Sequence, residues 1–231
     1  MPEALVDVAP DLWIVDGPDI VFAGASMHTR MTIARLSDGG LWVHSPIDLQ
    51  AAADVMVQLG DDVRVLIAPN KFHHLYIQDW RQAYPNAAVF AEPELQRKVA
   101  HLQDAQTLTD SPPEIYAADL DQLVFAGNRL FAEAVFFHRA SRTLILTDLM
   151  INLPLDQVNF FAGLFLRFEG VVFPNGGIPR LFRWLTSDRA AARRCYEQIV
   201  AWAPQRVTLC HGGIFTEDVD DLLAREFAWL D

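Results

Sequence analysis

The first part of the chain alternates short apolar runs with turn residues. Extended runs lie at residues 12–15, 31–36 and 41–44, and the last two flank the Gly-containing stretch at 37–40. Apolar and β-branched residues on both sides of a tight turn are typical of a β-hairpin. The chain is therefore predicted to begin as a meander of strands.

Apolar residues at helical spacing appear after this meander. Between Asp48 and Leu59 they recur on one helical face, and Gly60 follows as a typical helix end. We predict further helices at 77–83, 94–101, 188–202 and 216–230, and further strands at 63–68, 88–91, 134–138, 143–147 and 206–210. A strand-rich half followed by mixed strands and helices fits two packed sheets covered by outer helices.

The length favours one domain. A chain of 231 residues buries a large core, and sandwiches of this size commonly form a single domain. We expect one domain over residues 1–231, with an apolar insert near 151–185. Within that insert, residues 160–173 are apolar except for Arg167 and Glu169, and the run is shorter than the roughly 20 residues of a spanning helix. We interpret it as a buried or lid-forming segment; covering a pocket, forming a homodimer surface and packing as a helix are open alternatives.

Composition narrows the class of partner. The formal net charge is −12 and the few Lys and Arg form no basic tract, so the field repels a nucleic-acid backbone. Cys195 and Cys210 are too few for a disulfide framework or a Cys-rich zinc site, although one bridge between them stays open. The acidic start does not resemble a signal peptide. We expect a cytoplasmic protein without a membrane span that binds a small molecule.

Four candidate side chains follow predicted strands. His73 and His74 come after the strand at 63–68, Asp148 after the strand at 143–147, and His211 after the strand at 206–210. Strand ends are rigid, and the loops that leave them can direct several side chains to one point. These residues are therefore the candidate metal ligands.

Three stretches resemble the metal-binding segments of the metallo-β-lactamase superfamily. In that family one strand leads into a His-x-His-x-Asp-His loop, a later strand into a bridging Asp, and a last strand into a His near Gly. Here Leu-Ile-Ala-Pro-Asn-Lys-Phe-His-His74-Leu falls at the loop, Leu-Ile-Leu-Thr-Asp148 at the bridging Asp and Thr-Leu-Cys-His211-Gly-Gly at the terminal His. The resemblance covers most of the chain and implies a four-layer αββα sandwich.

The loop departs from the family's pattern. With the segment from Tyr84 to residue 91 fixing the register, His74 takes the place of the Asp, whereas Asn70, Phe72 and Leu75 stand in place of the three His. The motifs Ser-Pro, Pro-Asn-x-x-His-His and His-Arg-x-Ser-Arg-Thr-Leu-Ile-x-Thr-Asp are similar to an uncharacterised branch of the superfamily, which brings no assigned reaction. At most one metal ion is expected in this degenerate motif.

His74, Asp148 and His211 are the predicted ligands of one divalent metal ion. Zinc accepts imidazole and carboxylate ligands and, in catalytic sites, commonly binds three protein ligands and a water. Zinc is the expected ion, with iron and manganese open. The alternative is a vestigial pocket that hydrogen bonds hold without an ion.

Three further residues are accessory candidates. His73 replaces His74 if the loop is shifted by one residue, and is otherwise an ordinary loop histidine. Glu133 lies near where the family supplies another His, so it joins the site or is a surface carboxylate at a strand start. Asn70 orients a water or ligand, or stabilises the turn through its side chain.

The donors favour a metal-dependent hydrolase that acts on a small ester, thioester, lactone or phosphoester. The alternative is a catalytically silent member of the same fold that binds a small molecule or a protein. Nucleophilic pairs are weakly indicated. Ser45 follows His44 and Cys210 precedes His211, but adjacent residues on a strand point to opposite faces.

Overall fold

The computed structural model describes residues 5–22, 25–128, 131–155 and 158–231, so the first four residues of the acidic start lie outside it. One sheet contains β1 (Leu5–Ala9), β2 (Leu12–Phe22), β3 (Ala25–Arg35), β4 (Leu41–His44), β5 (Val63–Ala68), β6 (Ala88–Ala91) and β7 (Gln106–Thr107). The other contains β8 (Leu120–Phe125), β9 (Glu133–His138), β10 (Thr143–Ile145) and β11 (Arg206–Thr208).

The helices are α1 (Leu49–Leu59), α2 (Ile77–Ala83), α3 (Pro93–Lys98), α4 (Phe160–Glu169), α5 (Arg180–Leu185), α6 (Arg189–Ala201) and α7 (Val219–Phe227), with short 3₁₀ turns at Ala100–Leu102 and Ala228–Leu230. The predicted ends of α1 are confirmed. The Asp48 side chain accepts hydrogen bonds from the second and third backbone N–H groups after it, and Gly60 closes the helix with a φ of 98°. Among the described residues, no helix is long and apolar enough to cross a membrane.

The strand order brings loop residues to one edge of the sandwich. The first sheet runs β1 to β7 in sequence order, and β4, β5, β6 and β7 are parallel. In the second sheet β10 and β11 are also parallel. Because parallel strands end at the same edge, the loops after β4, β5, β10 and β11 are placed to share a site.

Three apolar clusters form the layers. One joins the outer face of the first sheet to α1 and α2, with Trp80 fully buried. A second joins the other sheet to α6 and α7, and the third lies between the sheets, where Trp42 and Phe136 pack at 4.9 Å between ring centroids. The predicted αββα sandwich is confirmed.

The structure differs from the sequence expectation at several elements. The predicted strand at 12–15 ends before Asp16-Gly-Pro, whereas β2 continues to Phe22 through a bulge between Gly17 and Asp19. The half-exposed β1, the polar-containing β8 and the short α5 were not predicted. The last helix begins only at Val219, because Asp218 before it has a left-handed φ of 49°.

Residues 160–173 form α4 and the stretch after it. Glu169 is buried and accepts a hydrogen bond from Leu181 N at 2.9 Å, which links the end of α4 to α5. The apolar side chains of α4 are largely exposed; Phe160 and Phe161 are 77% and 80% exposed. This helix therefore does not close over the chain's own core as a buried segment would.

Candidate metal centre

Three side chains converge where strands of both sheets end. His73 lies in the loop after β5, Asp148 after β10 and His211 after β11. The Nε2 atoms of His73 and His211 each lie 3.2 Å from an oxygen of Asp148, and one ligand atom from each residue lies within 4.8 Å of the others. Ligand atoms about 2.1 Å from a tetrahedral ion are about 3.4 Å apart. The spacing therefore fits one ion.

The structure places His73 in this cluster and His74 outside it. The ring centroids of His73 and His211 are 5.2 Å apart, whereas His74 lies beside His101 at 6.0 Å. Asn70 Oδ1 accepts hydrogen bonds from the backbone N–H groups of Phe72 and His73, at 2.8 and 3.1 Å. This tight turn directs His73 inward, so the loop is shifted by one residue from the predicted register.

Asn70 also connects the two halves of the site. It is fully buried, and its Nδ2 donates to Thr147 Oγ1 at 2.8 Å and to Asp148 Oδ2 at 3.0 Å. Its side chain thus stabilises the turn, one of the two roles predicted for it. It also holds the Asp148 carboxylate at a fixed distance from His73.

Glu133 is fully buried, so the surface-carboxylate alternative is wrong. Its two oxygens accept hydrogen bonds from the backbone N–H groups of Thr147 and Asp148, each at 2.7 Å, and of Leu149 at 3.0 Å. Burial and the nearby Asp148 charge raise the pKa of Glu133 to about 6, against the opposing effect of these bonds. Glu133 therefore anchors the loop that carries Asp148.

Ser45 supports His73 from the end of β4. Its Oγ lies 2.7 Å from His73 Nδ1, and its backbone N–H donates to Ile67 O at 3.0 Å. Its φ of 55° is uncommon for a residue with a side chain, and such backbone strain is frequent at functional sites. The preceding His44 points away, into the core between Trp42 and Phe136. Ser45 and His44 point apart as the alternation of side chains along a strand predicts, whereas the contact of Ser45 with His73 leaves no signal in the sequence.

Asn152, another residue that sequence analysis missed, braces the loop after His211. It is buried, its backbone N–H donates to His211 O at 3.1 Å, and its Nδ2 donates to Gly213 O at 3.1 Å. Its Oδ1 accepts from Gly176 N at 3.1 Å. A Cβ at Gly212 would lie 1.8 Å from Asn152 O, so glycine is required there. One asparagine thus connects the His211 loop to the apolar insert.

Arg30 holds the other side of the His211 loop. It is 7% exposed and donates from Nη1 to the carbonyl oxygens of Leu209 at 3.0 Å and Gly212 at 2.6 Å. Its guanidinium also pairs with the Asp16 carboxylate. The His211 backbone is therefore fixed by a buried charge as well as by Asn152.

The cluster attracts positive charge. Burial by itself would raise the pKa of Asp148, but His73 and His211 outweigh it and hold that pKa well below its ordinary value. Burial lowers the pKa of His73, yet Asp148 and then Cys210 outweigh it and hold the pKa well above 6.5. A proton on His73, or a metal cation, would neutralise the Asp148 carboxylate.

Residues 10–166 match the family described as a domain of unknown function, DUF4336. The chain belongs to the DUF4336 family. A search of curated proteins found no match to it. The family description assigns no reaction, in agreement with the uncharacterised branch that the sequence motifs resemble.

Solved structures similar to this DUF4336 chain include metallo-β-lactamases. TMB-1 has a TM-score of 0.69 at 10% identity, and the match covers 100% of this chain and 97% of TMB-1. A metallo-β-lactamase from Hirschia baltica has a TM-score of 0.64 at 13% identity, covering 100% of this chain and 98% of its own. FIM-1 from Pseudomonas aeruginosa, in a mono-zinc form, has a TM-score of 0.65 at 10% identity, and the match covers 99% of this chain and 96% of FIM-1. At these identities the likeness establishes the fold alone.

The donors of this DUF4336 chain fit a divalent metal. Two imidazoles and one carboxylate form the common three-ligand set of mononuclear catalytic zinc, and the same set binds non-haem Fe(II). His211 Nδ1 is buried without a hydrogen-bond partner among the described residues. The nitrogen that faces Asp148 is Nε2, so this imidazole has one ring nitrogen in the cluster and a second that no described group binds.

Two other histidines play different parts. His28 lies 6.3 Å from His211 between ring centroids, and its Nε2 accepts from Gly212 N at 3.4 Å. Burial lowers the pKa of His28. His138 Nδ1 lies 2.7 Å from Ser141 Oγ, away from the site.

Proposed function

We propose that this chain is a hydrolase that uses one divalent metal ion, held by His73, Asp148 and His211, to cleave a small ester, thioester, lactone or phosphoester. The observation that carries the proposal is the convergence of these three ligand atoms within 4.8 Å. The metallo-β-lactamase fold of the chain supports it, as does the mono-zinc form described for FIM-1. The ion, when bound, would lower the pKa of a coordinated water and polarise the scissile group.

The chain's own residues would prepare the ligands. With an ion on Nε2, His73 Nδ1–H would donate its hydrogen bond to Ser45 Oγ, which would fix the tautomer whose Nε2 lone pair binds the metal. The Asn70 amide keeps one Asp148 oxygen in place, and the backbone contacts of Asn152 do the same for His211. His73 and Asp148 are therefore oriented by side-chain hydrogen bonds outside the set itself, which is typical of metal sites, whereas His211 is positioned through its backbone.

The rim of the site favours an apolar substrate. Phe72 and Leu75, which flank His73 and His74 in the same loop, are 41% and 56% exposed. The Phe72 ring stacks on Phe131 with centroids 6.1 Å apart. The net charge of −12 repels phosphate groups. Among the four substrate classes, esters, thioesters and lactones therefore fit better than phosphoesters.

The first prediction is that protein purified without chelator and equilibrated with zinc retains one ion per chain. His73→Ala, Asp148→Ala and His211→Ala should each lose the ion on dialysis, since a three-ligand site cannot spare a donor. Elemental analysis measures the stoichiometry, and hydrolysis of chromogenic ester, thioester and lactone substrates before and after chelation measures the activity.

His74→Ala is the matched control, because this neighbouring histidine points toward His101 instead of the cluster. It should retain the ion and the activity. A folded wild-type chain that binds no zinc, iron or manganese would contradict the proposal and support the silent binding alternative. Loss of the ion in His74→Ala but not in His73→Ala would restore the ligand set expected from sequence.

The second prediction concerns Ser45. Ser45→Ala should weaken zinc binding by about 10-fold to 100-fold, because His73 loses the partner that fixes its tautomer. Competition with a fluorescent chelator measures the affinity, and Ser187→Ala, at an exposed serine outside the site, is the control. An unchanged zinc affinity with abolished hydrolysis would instead identify Ser45 as a nucleophile, although at 4% exposure its Oγ has little access to substrate.

A further inference from the structure

We propose that α4, α5 and the stretch between them dock on a bilayer surface that carries anionic headgroups. This region presents eight exposed apolar side chains, which we call the aromatic face: Phe160, Phe161, Leu164, Phe165, Phe168, Phe173, Leu181 and Trp184. The proposal goes beyond the hydrolase function and does not depend on the metal.

The exposure is concentrated in one region. Trp184 is 67% exposed and Phe161 80% exposed, and eight of the fourteen large apolar side chains exposed among the described residues belong to the aromatic face. Scattered exposed apolar residues are normal on a protein surface, whereas a contiguous group marks an interaction site. Phe168 and Trp184 contact each other across the two helices at 5.9 Å between ring centroids. The face is thus one surface rather than separate residues.

The charges within this face are positive. Residues 160–185 contain Arg167, Arg180 and Arg183 but a single acidic residue, Glu169, in a chain with 30 Asp and Glu. Arg183 pairs with the buried Glu226 carboxylate, which leaves Arg167 and Arg180 as the charges of the surface. Glu169 is 5% exposed and bonded to α5, so its charge is turned inward. Arg167 and Arg180 are exposed and form no ion pair within the described residues. Exposed arginines among aromatic and aliphatic side chains are the pattern of helices that lie on anionic membranes.

The mixing of aromatic rings and arginine side chains on the aromatic face also fits a membrane surface. The Arg180 guanidinium lies 5.5 Å from the centre of the Phe168 ring, so apolar and charged groups are interleaved. Aromatic rings, above all Trp, favour the headgroup region, where the ring is partly buried and arginine meets phosphate. A helix of 10 residues is too short to span a bilayer but long enough to lie in its plane.

Charge disfavours a second copy of the chain as the occupant. A symmetric dimer through this face would bring the same surface of both copies together, and with it Arg167 and Arg180 of each. The strongly acidic remainder of the chain would be repelled by anionic lipid, which orients the molecule with the aromatic face toward the bilayer.

The aromatic face adjoins the candidate metal centre. Phe173 N donates to Leu153 O at 2.9 Å, and a Cβ at Gly213, two residues after His211, would lie 2.9 Å from the Phe173 ring. Docking through this face would therefore bring the rim of the site close to the lipid surface.

Flotation with vesicles tests the proposal. The full chain should float with mixed phosphatidylcholine and phosphatidylglycerol vesicles and much less with phosphatidylcholine alone. Phe161→Ser with Trp184→Ser should weaken binding about 100-fold, because two buried aromatic rings are lost. Arg167→Gln with Arg180→Gln should weaken it about tenfold or more and reduce its salt dependence.

Val57→Ser is the matched control, since Val57 is 76% exposed on α1, outside the aromatic face, and this variant should bind like the wild type. Circular dichroism confirms that each variant folds. Equal flotation with both vesicle types, or none, overturns the proposal. So does a wild-type dimer in sedimentation that the aromatic variant converts to monomer while vesicles remain unbound, because the occupant is then a second copy.

Discussion

Replacing Glu133 by Ala is expected to lower the free energy of unfolding by about 3–5 kcal/mol, the largest effect of any single substitution near the site. The substitution leaves three backbone N–H groups, those of Thr147, Asp148 and Leu149, without an acceptor in a buried place. Each unsatisfied buried donor costs about 1–3 kcal/mol. Chemical denaturation of wild type and variant measures the difference.

Glu133→Gln separates the anchoring role from metal binding. Glutamine keeps one acceptor oxygen but places an amide NH₂ opposite backbone donors. The free energy of unfolding should therefore fall by less than in Glu133→Ala, but still measurably. If Glu133 were instead a ligand, Glu133→Ala would lose the ion while keeping its stability in metal-free buffer. That result would contradict the anchoring role.

The second large expected effect is a loss of folding stability at acid pH. His44 is fully buried, neither ring nitrogen has a hydrogen-bond partner among the described residues, and burial with the nearby His73 lowers its pKa to about 3. Between about pH 6.5 and 3 the unfolded chain binds a proton at this residue that the folded chain does not. Stability contributed by neutral His44 is therefore lost as the pH falls, by about 1.4 kcal/mol per unit and up to about 5 kcal/mol.

His44→Phe should flatten this dependence. The phenyl ring can take the stacked position beside Trp42, 5.4 Å between ring centroids, and it has no proton to bind. The stability difference between variant and wild type should grow steadily below pH 6.5 in denaturation curves measured at successive pH values. Parallel curves for the two proteins would show that His44 is not the source of the acid sensitivity.

Sequence patterns predicted the sandwich well because its strands are apolar and clearly bounded. The strand at 63–68 and the helix at 77–83 are confirmed to the residue as β5 and α2. The edge strands were harder to predict, because β1 and β8 are partly exposed and mix polar and apolar residues. The continuation of β2 was missed because a bulge follows Gly17. Local composition does not distinguish a bulge from a strand end.

The candidate site was predicted by position but not by register. Asp148 and His211 lie together as expected because each lies shortly after the end of one of two adjacent parallel strands, β10 and β11. The choice between His73 and His74 depends on the turn that Asn70 makes with the backbone after it, and on Ser45 from a distant strand. Such contacts between residues far apart in the chain leave no periodic signal in the sequence. Whether the three residues bind a metal stays a prediction.

The contacts of Asn152 limit how the apolar insert can be altered. Because this residue bonds to His211, Gly213 and Gly176, a shortened or lengthened insert keeps the site intact only if the new junctions lie beyond these contacts. The helix α4 itself can be exchanged between Leu153 and Gly170, which bracket it on the chain. Grafting a different helix there would redirect the protein to another surface while leaving the geometry of Asp148 and His211 unchanged.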